Sequence, residues 1–246
     1  MDKSIAIELI DVGYCINDNQ WLVKDLSLKV AVGETLVLLG QSGSGKTTTL
    51  KLINQLRKAS CGKVFILGKN INQWDITKLR RQIGYVIQEG GLFPHYTVEK
   101  NISLLLELAV WSKADIKNRV QELMELIGLS YQEFANRYPH QLSGGQRQRV
   151  GVARALALDP PIILLDEPFG ALDPIIKNQL QNEFASWQQR LNKTAILVTH
   201  DIQEAFKLAD KIGLMVDGKL VEFSTKKEFL NSQHTEAKAF MECLNK

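Results

Sequence analysis

No stretch of this chain stays apolar long enough to cross a bilayer; the best candidate, ISLLLELAV (102–110), is broken by Glu107. The opening MDKSIAIELI places charge before a short apolar run, but that run stops at Glu8, so no secretory leader is expected. Cysteine is scarce. Cys15, Cys61 and Cys243 are odd in number and lack metal-ligand spacing, which excludes a disulfide framework and points to a reducing compartment. Charge of either sign is not in excess: 30 Lys and Arg against 27 Asp and Glu leave +3, too little for a nucleic-acid partner. Internal repeats and low-complexity segments are also missing. What remains is a 246-residue globular composition, 45% hydrophobic and 23% charged, sized for one large domain or for one core carrying an insertion.

The apolar pattern supports the second form. SIAIELI and LVKDLSLKV alternate as edge strands do, and ETLVLLG (34–40) is a continuous apolar strand ending in glycine, with a helix over 45–57. KVFILG and QIGYVIQ read as short strands. From about 97 to 157 the pattern is helical; SKADIKNRVQELMELIGL has an N-cap at Ser112 and a stop at Gly128. PIILLDEP, TAILVTH and KIGLMVDGKLVEF restore strands, the last with a hairpin signal at Asp217-Gly218, and 225–246 reads as a closing helical tail. Buried strands alternating with helices predict an α/β fold with a mainly parallel sheet, interrupted by an inserted helical subdomain.

Two stretches are suited to phosphate. GQSGSGKTTTL (40–50) matches G-x-x-x-x-G-K-[ST] between a strand and a helix, the context that motif requires. Gly40, Gln41, Ser42, Gly43, Ser44, Gly45, Lys46, Thr47 and Thr48 would form a nucleotide loop: backbone N–H groups toward the phosphates, the Lys46 charge on the β- and γ-phosphates, the Thr47 hydroxyl on Mg²⁺. IILLDE (162–167) supplies the matching carboxylates, Asp166 for Mg²⁺ and Glu167 to polarise attacking water, with strand alternation pointing the neighbours apart. His200 closes the strand AILVTH, at the sheet edge where ligands of α/β proteins bind, within reach of a γ-phosphate. The second stretch is QLSGGQRQRV (141–150): Ser143, Gly144 and Gly145 directly precede a helical run, and a bare helix start holds phosphate.

Taken in order, GQSGSGKTT, YVIQ, LSGGQ, IILLDEP, GALD and LVTH resemble an ATP-binding cassette ATPase over nearly the whole chain. The resemblance implies a single ABC ATPase domain over 1–246: a P-loop NTPase core, an N-terminal antiparallel β-subdomain and a helical signature subdomain inserted at about 89–157. It also accounts for two phosphate-binding ends, since such domains pair head to tail. Ser143, Gly144, Gly145 and Gln146 of one copy would face the γ-phosphate of ATP held on the phosphate loop of the other. By the same resemblance Tyr14 stacks on adenine, Gln88 ends the YVIQ strand, touches Mg²⁺ and the attacking water and hinges the helical subdomain, and Asp173 of GALD speaks across the dimer. Position 170 is Gly where the family often has Ser; little effect is expected beyond the loss of a side-chain contact to the partner.

QIGYVIQEGGLFPHYTVEKNI and LDEPFGALDPIIKNQLQNEF resemble bacterial importers of osmoprotectants such as glycine betaine, choline, carnitine and proline betaine. The implied protein is a peripheral ATPase on the cytoplasmic face of the inner membrane, with ATP and Mg²⁺ as cofactors. Its implied partners are a second copy, membrane-spanning permease subunits and, indirectly, an extracytoplasmic binding protein. Importers of other small solutes, amino acids or anions, share parts of these stretches, and a soluble cassette ATPase outside transport is the remaining alternative. A glycine pair, Gly90 and Gly91, followed by Phe93, Pro94 and Tyr96 suggests a hinged apolar socket for a permease helix. The chain ends at Lys246, so the paired regulatory domains of many osmoprotectant ATPases are expected to be absent.

Overall fold

The computed structural model describes residues 4–17, 20–88, 91–170 and 172–244. Glu89 and Gly90 of the expected hinge, Ala171 of GALD and both chain ends lie outside them. In chain order the elements are β1 (Ile5–Cys15), β2 (Trp21–Ala31), β3 (Thr35–Leu39), α1 (Lys46–Ile53), β4 (Cys61–Ile66), β5 (Lys69–Asn70), α2 (Ile76–Arg81) and β6 (Ile83–Val86). Then follow α3 (Val98–Leu108), α4 (Lys113–Leu126), α5 (Tyr131–Phe134), α6 (Gly144–Leu156), β7 (Ile162–Asp166) and α7 (Pro174–Leu191). The chain closes with β8 (Thr194–Thr199), α8 (Ile202–Leu208), β9 (Lys211–Val216), β10 (Lys219–Thr225), α9 (Lys226–Phe229) and α10 (Thr235–Glu242).

Two compact units divide these elements. The first joins Met1–Arg80 to Asn192–Lys246. Its antiparallel sheet has the order β2-β1-β4-β5. Its second group of strands is mainly parallel: β3 lies between β8 and β9, parallel to both, and β10 runs back along β9. Every residue of β3 and of β8 is buried, the mark of strands covered on both faces. Each buried Leu or Ile there contributes about 1.5–3 kcal/mol relative to exposure. The β9–β10 turn has φ of 47° at Asp217 and 79° at Gly218, the two left-handed residues that an Asp-Gly hairpin turn needs.

The second unit, Arg81–Leu191, contains β6 parallel to β7, with α3–α6 between them in sequence. Ser112 caps α4 by accepting from the Asp115 N–H, and Gly128 follows the helix with φ 67°. The fold is α/β, with parallel strands, a separate antiparallel N-terminal sheet and helices carried between strands, as expected. The closing tail carries two helices, α9 and α10.

Candidate functional site

In the first unit, β3 delivers the chain to the loop 40–45 and α1 starts at Lys46. Gly45 has φ 98°, and a Cβ there would stand 2.5 Å from the Leu22 carbonyl oxygen, so only glycine serves. Lys46 is 4% exposed; its Nζ donates to the carbonyls of Gly40 and Gln41 at 2.8 Å each and to Ser44 Oγ at 3.4 Å. The ammonium thus lies over the loop that it follows. Thr47 and Thr48 are half-buried in the first turn of α1, Gln41, Ser42 and Gly43 are exposed, and the Ser44 carbonyl accepts from the Gly218 N–H at 3.2 Å. A cavity of about 350 Å³ opens beside Gln41–Ser44, walled by Met215, Val216 and Asp217 and by Glu236 and Phe240 of α10. A glycine loop, an ammonium held on its carbonyls and a helix N-terminus suit a polyphosphate.

Two other expected residues belong to this unit. Tyr14 is half-buried on β1; its hydroxyl accepts from Arg57 Nη1 at 2.8 Å, and the guanidinium carbon lies 5.7 Å from the ring centroid. His200 follows β8 and is exposed, just before Asp201, which caps α8 by accepting from the Gln203 N–H at 2.7 Å.

The second unit holds the carboxylates. All five residues of β7 are buried and Asp166, its last, is 7% exposed. Tyr85 on β6 donates its hydroxyl to Asp166 Oδ2 at 3.0 Å. Burial first, then the Asp166 charge and this hydrogen bond, push the Tyr85 phenol well above its ordinary pKa. Glu167 is half-buried outside the strand, with φ 43°. Strand alternation therefore does not extend to Glu167, which has a left-handed backbone, a sparsely populated conformation of the kind concentrated at functional sites. The Gly170 N–H donates to the Glu167 carbonyl at 3.2 Å, and a Cβ at position 170 would meet Glu167 Oε2 at 3.5 Å, ordinary contact. The expectation that Gln88 ends a strand is corrected: β6 stops at Val86, and Gln88, two residues beyond it, is exposed. Thr47, Gln88 and Asp166 offer only oxygen ligands, the donor type that Mg²⁺ selects.

Ser143 is the N-cap of α6, its Oγ accepting from the Gln146 N–H at 3.2 Å. Gly144 and Gly145 form the first turn; a Cβ at Gly145 would stand 2.7 Å from Ile176 Cγ2 of α7, a close approach that only glycine permits. Asp173 is exposed and caps α7, accepting from the Ile176 N–H at 3.1 Å. In the expected socket Phe93, Pro94 and His95 are exposed, and the Phe93 and Tyr96 rings lie 5.5 Å apart.

Two residues outside the motifs, Asn101 and Arg57, and one that opens YVIQ with no role yet given to it, Tyr85, make side-chain contacts at these positions. Asn101, 0% exposed, accepts from the Phe93 N–H at 2.8 Å and donates to the carbonyls of Phe93, Tyr96 and Thr97 at 3.0–3.2 Å, which fixes the socket loop. Tyr85 reaches Asp166, and Arg57 reaches Tyr14. An asparagine inside an apolar helical pattern was a visible signal; the other two depend on strand partners distant in sequence.

A phosphate loop between a fully buried strand and a helix, with a second buried strand that ends in Asp166 and is followed by Glu167, defines a P-loop nucleotide-binding protein of the α/β class. The chain belongs to the ABC transporter family, which it matches over residues 23–170. It is 51% identical over 210 residues to the choline transport ATP-binding protein OpuBA of Bacillus subtilis (strain 168), covering 85% of this chain and 55% of that protein. The glycine betaine/carnitine/choline transport ATP-binding protein OpuCA of the same strain is 51% identical over 214 residues, 87% of this chain and 56% of its own length. The chain thus spans little more than half the length of these relatives. A dimeric post-hydrolysis structure of the ATP-binding cassette MJ0796 bound to ADP and Pi matches with TM-score 0.79 at 35% identity, covering 89% of this chain and 98% of that one. Among the described residues no helix is long and apolar enough to cross a membrane.

Proposed function

We propose that the chain binds and hydrolyses ATP to power a membrane importer of quaternary-amine osmoprotectants. The observation that carries this reading is the identity of about half of its residues, over more than four fifths of its length, to ATP-binding proteins of choline and of glycine betaine/carnitine/choline transport. The chain works on this reading as a single cassette with its helical subdomain at about 89–157, peripheral on the cytoplasmic face. It pairs head to tail with a second copy and docks on permease subunits through the socket at Phe93, Pro94 and Tyr96, while a separate binding protein delivers the solute.

ATP lies with its adenine on Tyr14 and its phosphates in the loop 40–48, where Lys46 offsets their charge. Thr47, Asp166 and Gln88 hold Mg²⁺, which neutralises phosphate charge when bound. Glu167 orients the attacking water, and His200 contacts the γ-phosphate. Ser143, Gly144, Gly145 and Gln146 of the partner copy close over that phosphate with the positive end of α6, and Asp173 contacts the partner. Bridging by ATP favours the closed pair and hydrolysis removes the bridge, so the nucleotide shifts a population between two states.

The test is reconstitution with the permease and binding protein encoded beside the chain, reading ATP-dependent uptake of radiolabelled glycine betaine, choline and carnitine. Uptake of at least one is expected. Uptake of none, with robust uptake of an amino acid or an anion, overturns the substrate class.

A further inference from the structure

We infer that Tyr85 is a positioning residue for the metal-holding carboxylate Asp166, and through it for the spacing of Asp166 and Gln88. The inference rests on the reading that Asp166 holds Mg²⁺. It starts from register. β6 and β7 run parallel with Tyr85 opposite Leu164, and paired residues share a face of the sheet. Asp166 lies two residues beyond Leu164 and so returns to that face. The Tyr85 hydroxyl meets Asp166 Oδ2 at 3.0 Å because a phenol is long enough to reach from one strand past the end of its neighbour.

The bond is not needed to hold the strands together. They are already paired from Ile83 opposite Ile162 to Val86 opposite Leu165, and β7 is wholly buried. What the bond adds is orientation. A carboxylate at a strand end can turn about its last single bond. A hydroxyl on a rigid ring, fixed by two side-chain torsions, selects one plane for it. Partners of this kind set the geometry in which a ligand meets its metal, and removing one typically costs about 10–100-fold in metal affinity. A second consequence follows from chain order. Gln88 follows β6 by two residues, so the strand that leads to one oxygen ligand is tied through the Tyr85 hydroxyl to the other. Displacement of Gln88 that moved β6 would be felt at Asp166.

The experiment separates binding from turnover. For wild type, Tyr85→Phe and Asp166→Asn, the affinity for a non-hydrolysable ATP analogue is measured in Mg²⁺ and again in excess chelator, together with the melting temperature without nucleotide. The ratio of the two affinities is the gain due to the metal. Tyr85→Phe is expected to keep its metal-free affinity within about twofold and to lose on the order of tenfold of the gain. Asp166→Asn is expected to abolish the gain. If Asp166→Asn abolishes it and Tyr85→Phe keeps it whole, the role given to Tyr85 is overturned while that of Asp166 stands. If Tyr85→Phe loses affinity equally with and without Mg²⁺, its role is general packing and the inference is overturned. If Asp166→Asn leaves the gain intact, the reading of Asp166 fails and the inference falls with it.

Discussion

Ser143 and Gln146 close a reciprocal cap at the start of α6: Ser143 Oγ accepts from the Gln146 N–H at 3.2 Å, and Gln146 Oε1 accepts from the Ser143 N–H at 2.9 Å. The pair expected to face a partner's phosphate is therefore also a local folding device. Two substitutions separate these roles. Ser143→Ala should cost about 1 kcal/mol of stability, or roughly 2–4 °C in melting temperature. Ser143→Asp preserves a capping oxygen but sets a negative charge where a γ-phosphate must fit. It should melt near wild type and lose ATP turnover. Full turnover by the aspartate variant would remove Ser143 from the nucleotide site.

Asn101 makes a prediction about coupling. Its amide nitrogen donates to three carbonyls of the loop 93–97. Asn101→Asp keeps the shape but replaces those donors with acceptors, so the loop should loosen at a cost of about 1–3 kcal/mol. Osmoprotectant uptake by the reconstituted transporter should fall further than ATP hydrolysis by the isolated chain. An equal fall in both would place Asn101 in general stability.

Gly45 tests the phosphate loop itself. Gly45→Ala meets the Leu22 carbonyl at 2.5 Å in a left-handed backbone with φ 98°. The backbone conformation alone costs about 1–2 kcal/mol, and the contact adds to it. Urea denaturation should show a loss at least that large, and fluorescence titration should show weakened nucleotide binding. Lys46→Ala should weaken binding too, because the phosphates lose their charge partner.

Glu167→Gln should bind ATP and fail to turn it over, accumulating a stable ATP-bound dimer visible by gel filtration or light scattering. Near-normal hydrolysis by this variant would take Glu167 out of its role.

Features written in contiguous residues were legible. The loop 40–48, the Ser143 helix start, the Ser112 cap and the Asp217-Gly218 turn each depend on a few neighbours whose chemistry forces one local conformation. Features set by register were not. Tyr85 and Asp166 meet only once β6 and β7 pair, and nothing within either segment announces the other. From the sequence Gln88 reads as part of a strand, because Ile87 continues the apolar run of β6. Ile87 is instead 38% exposed, and the strand has already ended at Val86. The left-handed Glu167 was hidden for a related reason, since a run of apolar residues ending in two acids specifies burial but not where the backbone turns. The tail divides because Thr225 and His234 cap separate helices, accepting from the N–H groups of Glu228 and Glu236.

The central claim is that one chain supplies half of each of two ATP sites, and a crosslink tests it most directly. With native Cys15, Cys61 and Cys243 replaced by serine, one differently tagged chain takes Ser143→Cys and the other Ser42→Cys, both with Glu167→Gln to retain ATP. With ATP and Mg²⁺ and a short thiol crosslinker, the predicted product joins the two tags, and a chain carrying both cysteines, diluted until monomeric, gives no internal bond. Efficient crosslinking within that single chain, with none between differently tagged chains, would contradict the shared site.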